Sequence, residues 1–342
     1  MPTIKDNKAE TSKAGPQKAA ATKADHVTIN EHQSGQRIDN FLVKKLKGVP
    51  KSHVYRLLRS GQVRVNSGRK KPHYKLQTGD ILRIPPVRVS ESGDVTVPDS
   101  IVDLLKDAIL YQDEGIIAIN KPSGIAVHKG SGLRFGVIEA FRQIMPEQPL
   151  ELVHRLDRET SGCLLLAKNR QILAELHELL RHEKTIHIEK TYIALLLGDW
   201  SKGAYATANP ATIDIGISKV KRSGEHMMQA DENGDTAISH FELIETFHKE
   251  PYPPCSLMKI TIETGRTHQI RVHSQYSGFP IIGDSKYGDK TANRLFREHG
   301  LNRLFLHAQR LYLPLSDPIT IDAPLTDELK HLLQNLGADQ NI

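Results

Sequence analysis

The chain has 342 residues, of which 38% are hydrophobic and 25% are charged, and its formal net charge is +6. This length allows two or three domains with at least one sizeable core. The apolar runs are too short to span a bilayer, and the N-terminus lacks the apolar stretch of a secretory signal. Two cysteines, Cys163 and Cys255, are too few for a disulfide framework and suit a reducing cytosol. We therefore expect a cytoplasmic protein without a membrane partner.

The charge is distributed unevenly along the chain. Residues 1–90 contain 19 lysines and arginines against 6 aspartates and glutamates, whereas residues 91–342 contain 27 against 34. A basic front on a mildly acidic body favours a polyanion-binding module joined to a second domain. For a single charged run, a solvated surface would be the simpler interpretation. Here the charge accompanies a folded pattern, which favours the module.

The first residues have a composition of their own. They are rich in lysine, alanine and threonine and offer little apolar surface to bury, so we predict a disordered basic tail over residues 1–24. A mitochondrial transit peptide is less favoured, because Asp6 and Glu10 are present and arginine is absent.

Residues 25–86 predict a compact basic module. Apolar residues recur at helical spacing in GQRIDNFLVKKLKG, and a second helix with Ser52 as its N-cap runs to Gly61. QVRVN alternates two valines with Arg64, as a half-buried strand does, and ILRIP predicts another strand. This module resembles the S4 RNA-binding domain, which implies contacts with the backbone of structured RNA. The candidate RNA-binding residues are Lys51, Arg56, Arg59, Arg64, Arg69, Lys70 and Lys71.

The remainder of the chain predicts a linker and one larger domain. Residues 87–107 are rich in Ser, Pro and Asp and predict the linker, and residues 108–338 predict the domain. Strands are predicted at IIAIN, CLLLAK, YIALLLG, LMKITIE and LFLHAQRLYL, and helices after Asn169 and near 326–336. Because connections are long and clean βαβ units are few, the pattern favours an α+β fold with a mixed, largely antiparallel sheet and flanking helices.

Four polar clusters stand beside strand-like segments of this domain, where loops commonly carry function. His268 and His273 are five residues apart and do not share a helix face, and the cysteines are isolated, so a zinc site is disfavoured. Ser161 lacks the G-x-S-x-G context of a nucleophilic serine. We expect neither a metal nor a cofactor. The clusters are NKPSGIAVH at 120–128, HRLDRETSG at 154–162, KTY at 190–192 and GRTHQIRVH at 265–273.

Asp157 is the most interesting catalytic candidate. Arg155 and Arg158 flank it, and Arg271 could reach it from a separate segment. An aspartate paired with an arginine stays ionised at neutral pH, as a nucleophile at a sugar carbon must. Taken alone, a structural ion pair that braces the turn is at least as good an interpretation. A glycoside hydrolase using Asp157 and Glu159 is disfavoured, because carboxylates two residues apart in a turn have no reason to face each other across a sugar.

Together the four clusters resemble the RluA family of pseudouridine synthases. HRLDRETSG matches the family motif HRLDxxTSG at every fixed position, GRTHQIRVH matches its third motif, and KPSG and KTY occur in the expected order. The resemblance covers about 108–325. GQRIDNFL, LKGVPKS, HKGSG and GLNRLFLHA are similar to one subgroup that acts on large-subunit ribosomal RNA. The resemblance implies a cofactor-free isomerase that converts uridine to pseudouridine in 23S-type RNA. The sequence leaves the oligomeric state open, and a monomer is our default expectation.

The resemblance also implies roles for four residues. Asp157 would attack C1′ of the target uridine or otherwise assist cleavage of the N1–C1′ bond, and Arg271 would pair with and orient it. Tyr192 would stack on the uracil and take part in removing the C5 proton. Arg155 would enter the space left when the nucleotide is extruded from its helix. A core tyrosine and a surface phosphate contact are the plain alternatives for Tyr192 and Arg155.

The chain departs from the family pattern in two places. Residues 181–189 lack a phenylalanine that often precedes the KTY lysine, and Gly-Lys before an alanine and a threonine is replaced by Gly234, Asp235, Thr236, Ala237 and then Ser239. Both departures put substrate contacts in doubt rather than the reaction. The alternative function is a non-catalytic S4-type RNA-binding protein in ribosome assembly. The intact set of Asp157, Tyr192 and Arg271 argues against it, because a structural descendant would be free to lose them.

Overall fold

The computed structural model describes residues 24–46, 49, 51–87, 96–130, 133–181, 188–222, 225–315 and 317–338. These residues belong to two compact units that divide between Val95 and Thr96. All but the last residue of the predicted basic tail lies outside the described residues. Within the described ranges, no helix is both long enough and apolar enough to cross a membrane.

The first unit is a three-stranded antiparallel sheet with two short helices, and the last of its three strands along the chain lies between the other two. Its core includes Leu42 and Val54 from the helices and Leu82 from the sheet. The helical spacing of the apolar residues therefore predicts the faces that pack on the sheet. The elements are β1 (Asp25–Thr28), α1 (Ile38–Lys45), α2 (Lys51–Arg59), β2 (Arg64–Val65) and β3 (Ile81–Ile84).

Two details of this unit differ from the sequence prediction. Ser52 is the second residue of α2, so the prediction that it caps the helix is wrong, within the usual uncertainty of helix ends. Strand β1 was not predicted, because DHVT contains a single strongly apolar residue. It forms through its pairing with β3, in which Val27 lies opposite the fully buried Leu82.

The second unit is built on a sheet of ten strands among the described residues. The strands of the sheet are β4 (Ile109–Gln112), β5 (Ile116–Lys121), β6 (Glu151–Leu152), β7 (Ser161–Ala167), β8 (Glu189–Leu197), β9 (Ala211–Asp214), β12 (Ile238–Phe247), β13 (Cys255–Ile262), β14 (Leu306–Leu313) and β15 (Ile319–Asp322). Eight follow one another in the order β4-β5-β7-β14-β8-β13-β12-β9, while β15 pairs with β14 and β6 with β7. The pairing of β7 with β14 is parallel and the others are antiparallel, which confirms the predicted mixed, largely antiparallel sheet.

Helices flank this sheet, and one hairpin stands apart from it. The hairpin consists of β10 (Ile217–Arg222) and β11 (Glu225–Ala230). Apolar side chains of the helices and of both sheet faces form the main cores of the unit. The helices are α3 (Asp99–Asp107), α4 (Val137–Ile144), α5 (Arg170–Arg181), α6 (Gln269–Tyr276), α7 (Lys290–Glu298) and α8 (Asp327–Leu336).

Helix α3 corrects the predicted linker over residues 87–107. Residues 88–95 lie outside the described residues, but Val97 and the α3 residues Val102 and Leu105 are buried in a core shared with α4 and the sheet. Pro98 and Asp99 begin the helix, and Pro and Asp are typical of helix starts as well as of linkers. The second half of the predicted linker is therefore part of the larger unit.

The central strands align the segments that carry three of the four polar clusters. Gly162 of β7 and Tyr192 of β8 both lie opposite Ala308 of β14, and Tyr192 lies opposite Ile260 of β13. Gly162 has a φ of +111°, and a Cβ added there would lie 2.2 Å from the Ala308 carbonyl oxygen. Only glycine allows this close approach. The HRLDRETSG loop, the KTY strand and the segment after β13 thus meet at one level of the sheet.

Candidate active site

Asp157 lies in the loop between β6 and β7. The amide of Thr160 donates to the Asp157 carbonyl at 3.2 Å, which closes a turn directly before β7. The side chain of Asp157 is 17% exposed, and neither of its carboxylate oxygens has a hydrogen-bond partner within the described residues. Two basic side chains lie beside it: Arg271, with Nη1 3.6 Å from Oδ2, and His268, with Nε2 3.8 Å from the same oxygen. The carboxylate is positioned by neighbours yet open to a ligand.

The KPSG cluster supports the Asp157 loop from behind. The amide of Gly124 donates to the Arg158 carbonyl at 2.8 Å, and the Ser123 hydroxyl donates to the Glu159 carbonyl at 2.6 Å. Lys121 donates to the same Arg158 carbonyl at 3.2 Å. The backbone on the C-terminal side of Asp157 is therefore held by three hydrogen bonds from a single motif, whose function is structural support.

Lys121 is fully buried in this support. Its Nζ also donates to the carbonyls of Pro122 and Ile125, both at 2.8 Å, so each of its three protons has an acceptor. Burial lowers the pKa of Lys121 to about 7, and the nearby charge of Arg303 acts in the same direction. A change in the charge of this lysine would alter the support of the loop.

Arg271 is anchored by a carboxylate that was absent from the sequence prediction. Its Nε and Nη2 donate to Oδ2 and Oδ1 of Asp284 at 2.7 and 2.8 Å, a two-point pair in which both side chains are buried. Its Nη2 also lies 3.4 Å from Glu159. Burial opposes the charge of Arg271, but the hydrogen bonds and charge of Asp284 outweigh it and raise the pKa above its ordinary value. Arg271 is thus a permanent cation beside Asp157, although its main partner is Asp284.

Asp284 is itself fixed by its turn. Its Oδ1 accepts the backbone amides of Lys286 and Tyr287 at 2.8 and 3.0 Å, and its carbonyl accepts the Asn293 side chain at 2.8 Å. The segment IIGDSKYG that carries it has no helical or strand periodicity, and its only sequence signal is an acidic residue after a glycine in a turn. That signal alone is too common to indicate a site.

Helix α6 divides the GRTHQIRVH cluster between structural and site residues. Gln269 donates to the Ile238 carbonyl and the Ser239 hydroxyl, both at 2.9 Å, and His273 contacts the same hydroxyl at 3.0 Å. Burial lowers the pKa of His273. These contacts tie α6 to β12, and Arg271 is carried on the opposite side towards Asp157. Ser239, one of the departures from the family pattern, therefore contacts the buried side of α6.

Two adjoining cavities open at Asp157. The first has a volume of about 80 Å³, and its lining includes Asp157, Tyr192, Ile262 and Leu306. Tyr192 therefore faces the same space as Asp157, with apolar side chains beside it. The second has a volume of about 320 Å³ and is lined mainly by polar and basic residues. Arg155, an exposed residue, lines both cavities and stands at their junction. Three sequence-predicted catalytic residues and Arg155 thus converge on one cleft.

The candidate RNA-binding residues of the first unit lie on its surface, apart from Lys70. Arg56 and Arg59 lie on the exposed side of α2, opposite the buried Val54 and Leu58. Lys70 is half-buried, with its ammonium 4.5 Å from the centre of the Tyr74 ring. The exposed members of the set are Lys51, Arg56, Arg59, Arg64, Arg69 and Lys71. In the described part of the chain, no group of three or more His, Cys, Asp and Glu side chains could hold a metal ion.

Comparison with known proteins identifies the family. Residues 115–276 match the family model described as RNA pseudouridylate synthase, and residues 36–82 match the S4 domain. Over 317 residues, the chain is 49% identical to ribosomal large subunit pseudouridine synthase C of Haemophilus influenzae, which covers 91% of this chain and 94% of that protein. The chain belongs to the RNA pseudouridylate synthase family. It is therefore an isomerase that makes pseudouridine in RNA.

Similarity to a second relative and to a solved structure supports this identification. The synthase is 46% identical to ribosomal large subunit pseudouridine synthase C of Escherichia coli strain K12, over 91% of this chain and 96% of that protein. Among solved structures, human RNA pseudouridylate synthase domain containing 4 is 25% identical with a TM-score of 0.55, covering 71% of this chain and 97% of that chain. The family resemblance and the S4 module predicted from the sequence are both confirmed.

Proposed function

We propose that this synthase acts on large-subunit ribosomal RNA, in which it converts selected uridines to pseudouridine. Two relatives that match nearly the whole chain carry that substrate in their names. The S4 domain and the basic balance of residues 1–90 support a large polyanionic substrate. The less basic second unit then performs local chemistry on one nucleotide while the first unit holds the RNA.

The chemistry requires only groups that the cleft contains. The N1–C1′ bond breaks, the freed uracil turns, and a bond forms between C5 and C1′; C5 loses a proton and N1 gains one, so that atoms and charge balance without a co-reactant. In this proposal, Asp157 assists the cleavage of the glycosidic bond, in a role like that of the nucleophilic carboxylate of the pair in retaining glycosidases. Arg271, anchored on Asp284, positions that carboxylate. Its permanent positive charge lies 3.6 Å from Oδ2 of Asp157, and Asp284 holds it there through two hydrogen bonds.

The first cavity suits the extruded base. Its apolar wall at Ile262 and Leu306 and the ring of Tyr192 favour an aromatic heterocycle next to Asp157. We assign to Tyr192 the stacking on uracil and a part in removing the C5 proton. We propose that the Arg155 side chain fills the space that the extruded nucleotide leaves in the RNA, since this exposed arginine lines both cavities of the cleft.

The observation that carries the proposal is an accessible Asp157 beside an anchored arginine in a cleft that also contains Tyr192. The test is to incubate unmodified 23S-type ribosomal RNA with the wild type and with Asp157→Asn, and then to map pseudouridine along the RNA. We expect defined sites with the wild type and none with the variant. A wild type that binds this RNA but forms no pseudouridine would favour the non-catalytic assembly protein.

The role of the first unit is tested by the salt dependence of RNA binding. Replacement of Arg69, Lys70 and Lys71 by glutamine should lower affinity and reduce the slope of log Kd against log salt by about one for each phosphate that is no longer neutralised. The matched control is Lys106→Gln, which removes an exposed lysine of the second unit that pairs with Asp103. An unchanged slope in the triple variant would mean that these residues form only a solvated surface.

The compartment and the assembly state remain predictions. Ribosomal RNA as a substrate and the two buried free thiols, Cys163 and Cys255, favour the cytoplasm. The monomer predicted from the sequence can be checked by sedimentation of the full chain with and without RNA.

A further inference from the structure

His268 occupies an unusual position beside Asp157. It directly precedes α6 with φ 58° and ψ 22°, a left-handed conformation that is uncommon for a residue with a side chain. Such conformations persist where the surroundings enforce them, and they concentrate at functional sites. The His268 ring lines both cavities, with Nε2 3.8 Å from Oδ2 of Asp157. The strained backbone thus presents the ring to the proposed catalytic carboxylate.

The opposite edge of the ring is held by Tyr287. The Tyr287 hydroxyl lies 2.8 Å from Nδ1 of His268, and the two rings meet edge to face with centres 5.5 Å apart. The same hydroxyl oxygen accepts the Met228 amide at 3.1 Å. Because that oxygen already accepts one hydrogen bond, the arrangement favours donation of the hydroxyl proton to Nδ1, with the proton of a neutral imidazole on Nε2, the atom nearest Asp157.

The surrounding charges are compatible with a neutral ring. Burial lowers the pKa of His268, and the cations Arg271 and Lys286 act in the same direction, whereas the anions Asp157 and Asp284 oppose them. A neutral donor contributes a hydrogen bond without cancelling the charge of the carboxylate. Arg271 already supplies the positive charge on that side of the site.

We propose that His268 is a positioning residue for Asp157, whose Nε2–H orients the carboxylate while Tyr287 fixes the imidazole from behind. This inference rests on the proposed catalytic role of Asp157. The present 3.8 Å separation shortens to a hydrogen bond when RNA fills the cleft, as catalytic contacts commonly tighten in the substrate complex. Arg271 and His268 then hold Oδ2 from two directions and leave Oδ1 for the target ribose.

Two substitutions separate the two edges of the ring. In His268→Gln, the longer amide can place a donor near the position of Nε2, towards Asp157. In His268→Asn, the shorter amide can reach only the position of Nδ1, towards Tyr287. Asparagine tolerates the left-handed backbone better than glutamine does, so a purely structural role predicts the higher activity for Asn. A positioning role predicts the opposite order. His268→Gly, which relieves the backbone and removes the ring, is the control for strain.

The experiment measures single-turnover tritium release from an unmodified 23S-type transcript labelled at C5 of uridine, together with the Kd for the same RNA. We expect Gln to stay within about tenfold of the wild-type rate and both Asn and Gly to fall about 100-fold, with Kd unchanged. Tyr287→Phe should reduce the rate less than Asn does, because the ring remains beside Asp157.

The outcomes that contradict this role are distinguishable. An active wild type with Asn equal to or faster than Gln would overturn the role of His268 and leave the function of the enzyme intact. An active wild type with an unaffected His268→Gly variant would do the same. A wild type that releases no tritium would remove the proposed function, and the positioning role would fall with it.

Discussion

Three carboxylates of the described residues lie near Arg271, and two of them, those of Asp284 and Asp157, have surroundings that differ in almost every respect. Asp284 is buried, bonds the guanidinium at two points and accepts two backbone amides. Asp157 is partly exposed, lies 3.6 Å from the guanidinium and has no hydrogen bond to its carboxylate within the described residues. Asp284 has all its bonding capacity used by the fold, whereas Asp157 has capacity left for a substrate. The difference supports our proposal that Asp284 holds the arginine and Asp157 performs the chemistry.

The sharpest test of this comparison is Asp157→Asn. We expect the tritium-release rate to fall at least about a thousandfold, because the carboxylate that is proposed to assist cleavage of the N1–C1′ bond is lost. The free energy of unfolding should change by less than about 0.5 kcal/mol, since no hydrogen bond is removed. Glu159→Gln is the matched control: it alters the other loop carboxylate near Arg271 and should leave most of the activity. Equal losses in both variants would contradict the assignment of Asp157.

Asp284→Asn should lower stability and activity together. It removes the charge that compensates the buried Arg271, and breaking a buried ion pair from one side typically costs about 3–5 kcal/mol. Urea unfolding measures this loss, and we expect activity to fall with it as Arg271 loses its orientation.

The control for Asp284→Asn is Asp289→Asn. Asp289 caps α7 through the Ala292 amide, and asparagine caps a helix about as well, so stability should barely change. If Asp284→Asn were as harmless as this control, Asp284 would not be the anchor of the arginine.

Gly162→Ala tests whether the Asp157 loop depends on close contact of β7 with β14. The added methyl would meet the Ala308 backbone at 2.2 Å, and φ of +111° is strained for alanine. We expect a loss of about 2–3 kcal/mol in thermal or urea unfolding. Gly265→Ala is the control, because nothing lies within 4 Å of its added Cβ. A stable Gly162→Ala variant would mean that the two strands can separate without cost.

Lys121→Met tests whether the buried Lys121, which holds the Asp157 loop, makes the stability of the protein depend on pH. The pKa of Lys121 is about 7 in the folded protein against 10.5 ordinarily, so the unfolded chain binds more protons between these values. The stability of the wild type relative to Lys121→Met should therefore rise as pH increases from 7 towards 10.5, by up to about 1.4 kcal/mol per pH unit. Urea unfolding of both proteins across this range measures the difference. A difference independent of pH would show that Lys121 keeps its ordinary pKa.

The sequence predicts the parts of the second unit that obey a simple period or run. Apolar runs such as CLLLAK and YIALLLG correspond to β7 and β8, and the spacing after Asn169 corresponds to α5. Helix α3 was not predicted, because Pro and Asp at its start are equally typical of a linker. Strand β1 was not predicted, because it forms through pairing with β3 and its own residues give little signal for a strand.

The candidate site was predicted as a set of residues but not as a geometry. The motifs indicated Asp157, Tyr192 and Arg271, yet spacing along the chain contains no distances, so it could not show that Arg271 has a closer partner in Asp284. His268 was considered only as a metal ligand, because its importance comes from a backbone angle and from a contact with Tyr287. Contacts between segments that are distant in sequence are the part that a single sequence does not contain.

The central place of β14 has a consequence for folding. This strand comes near the end of the described chain, at Leu306–Leu313, yet it lies between β7 and β8 in the sheet. Strand β7 directly follows the Asp157 loop, and β8 carries Tyr192. During synthesis the earlier strands emerge first, but β7 and β8 cannot be joined in one sheet until β14 has left the ribosome. A nascent chain that ends before Leu313 therefore lacks an assembled cleft. Under the proposed function, truncated chains that retain the first unit should bind RNA without modifying it.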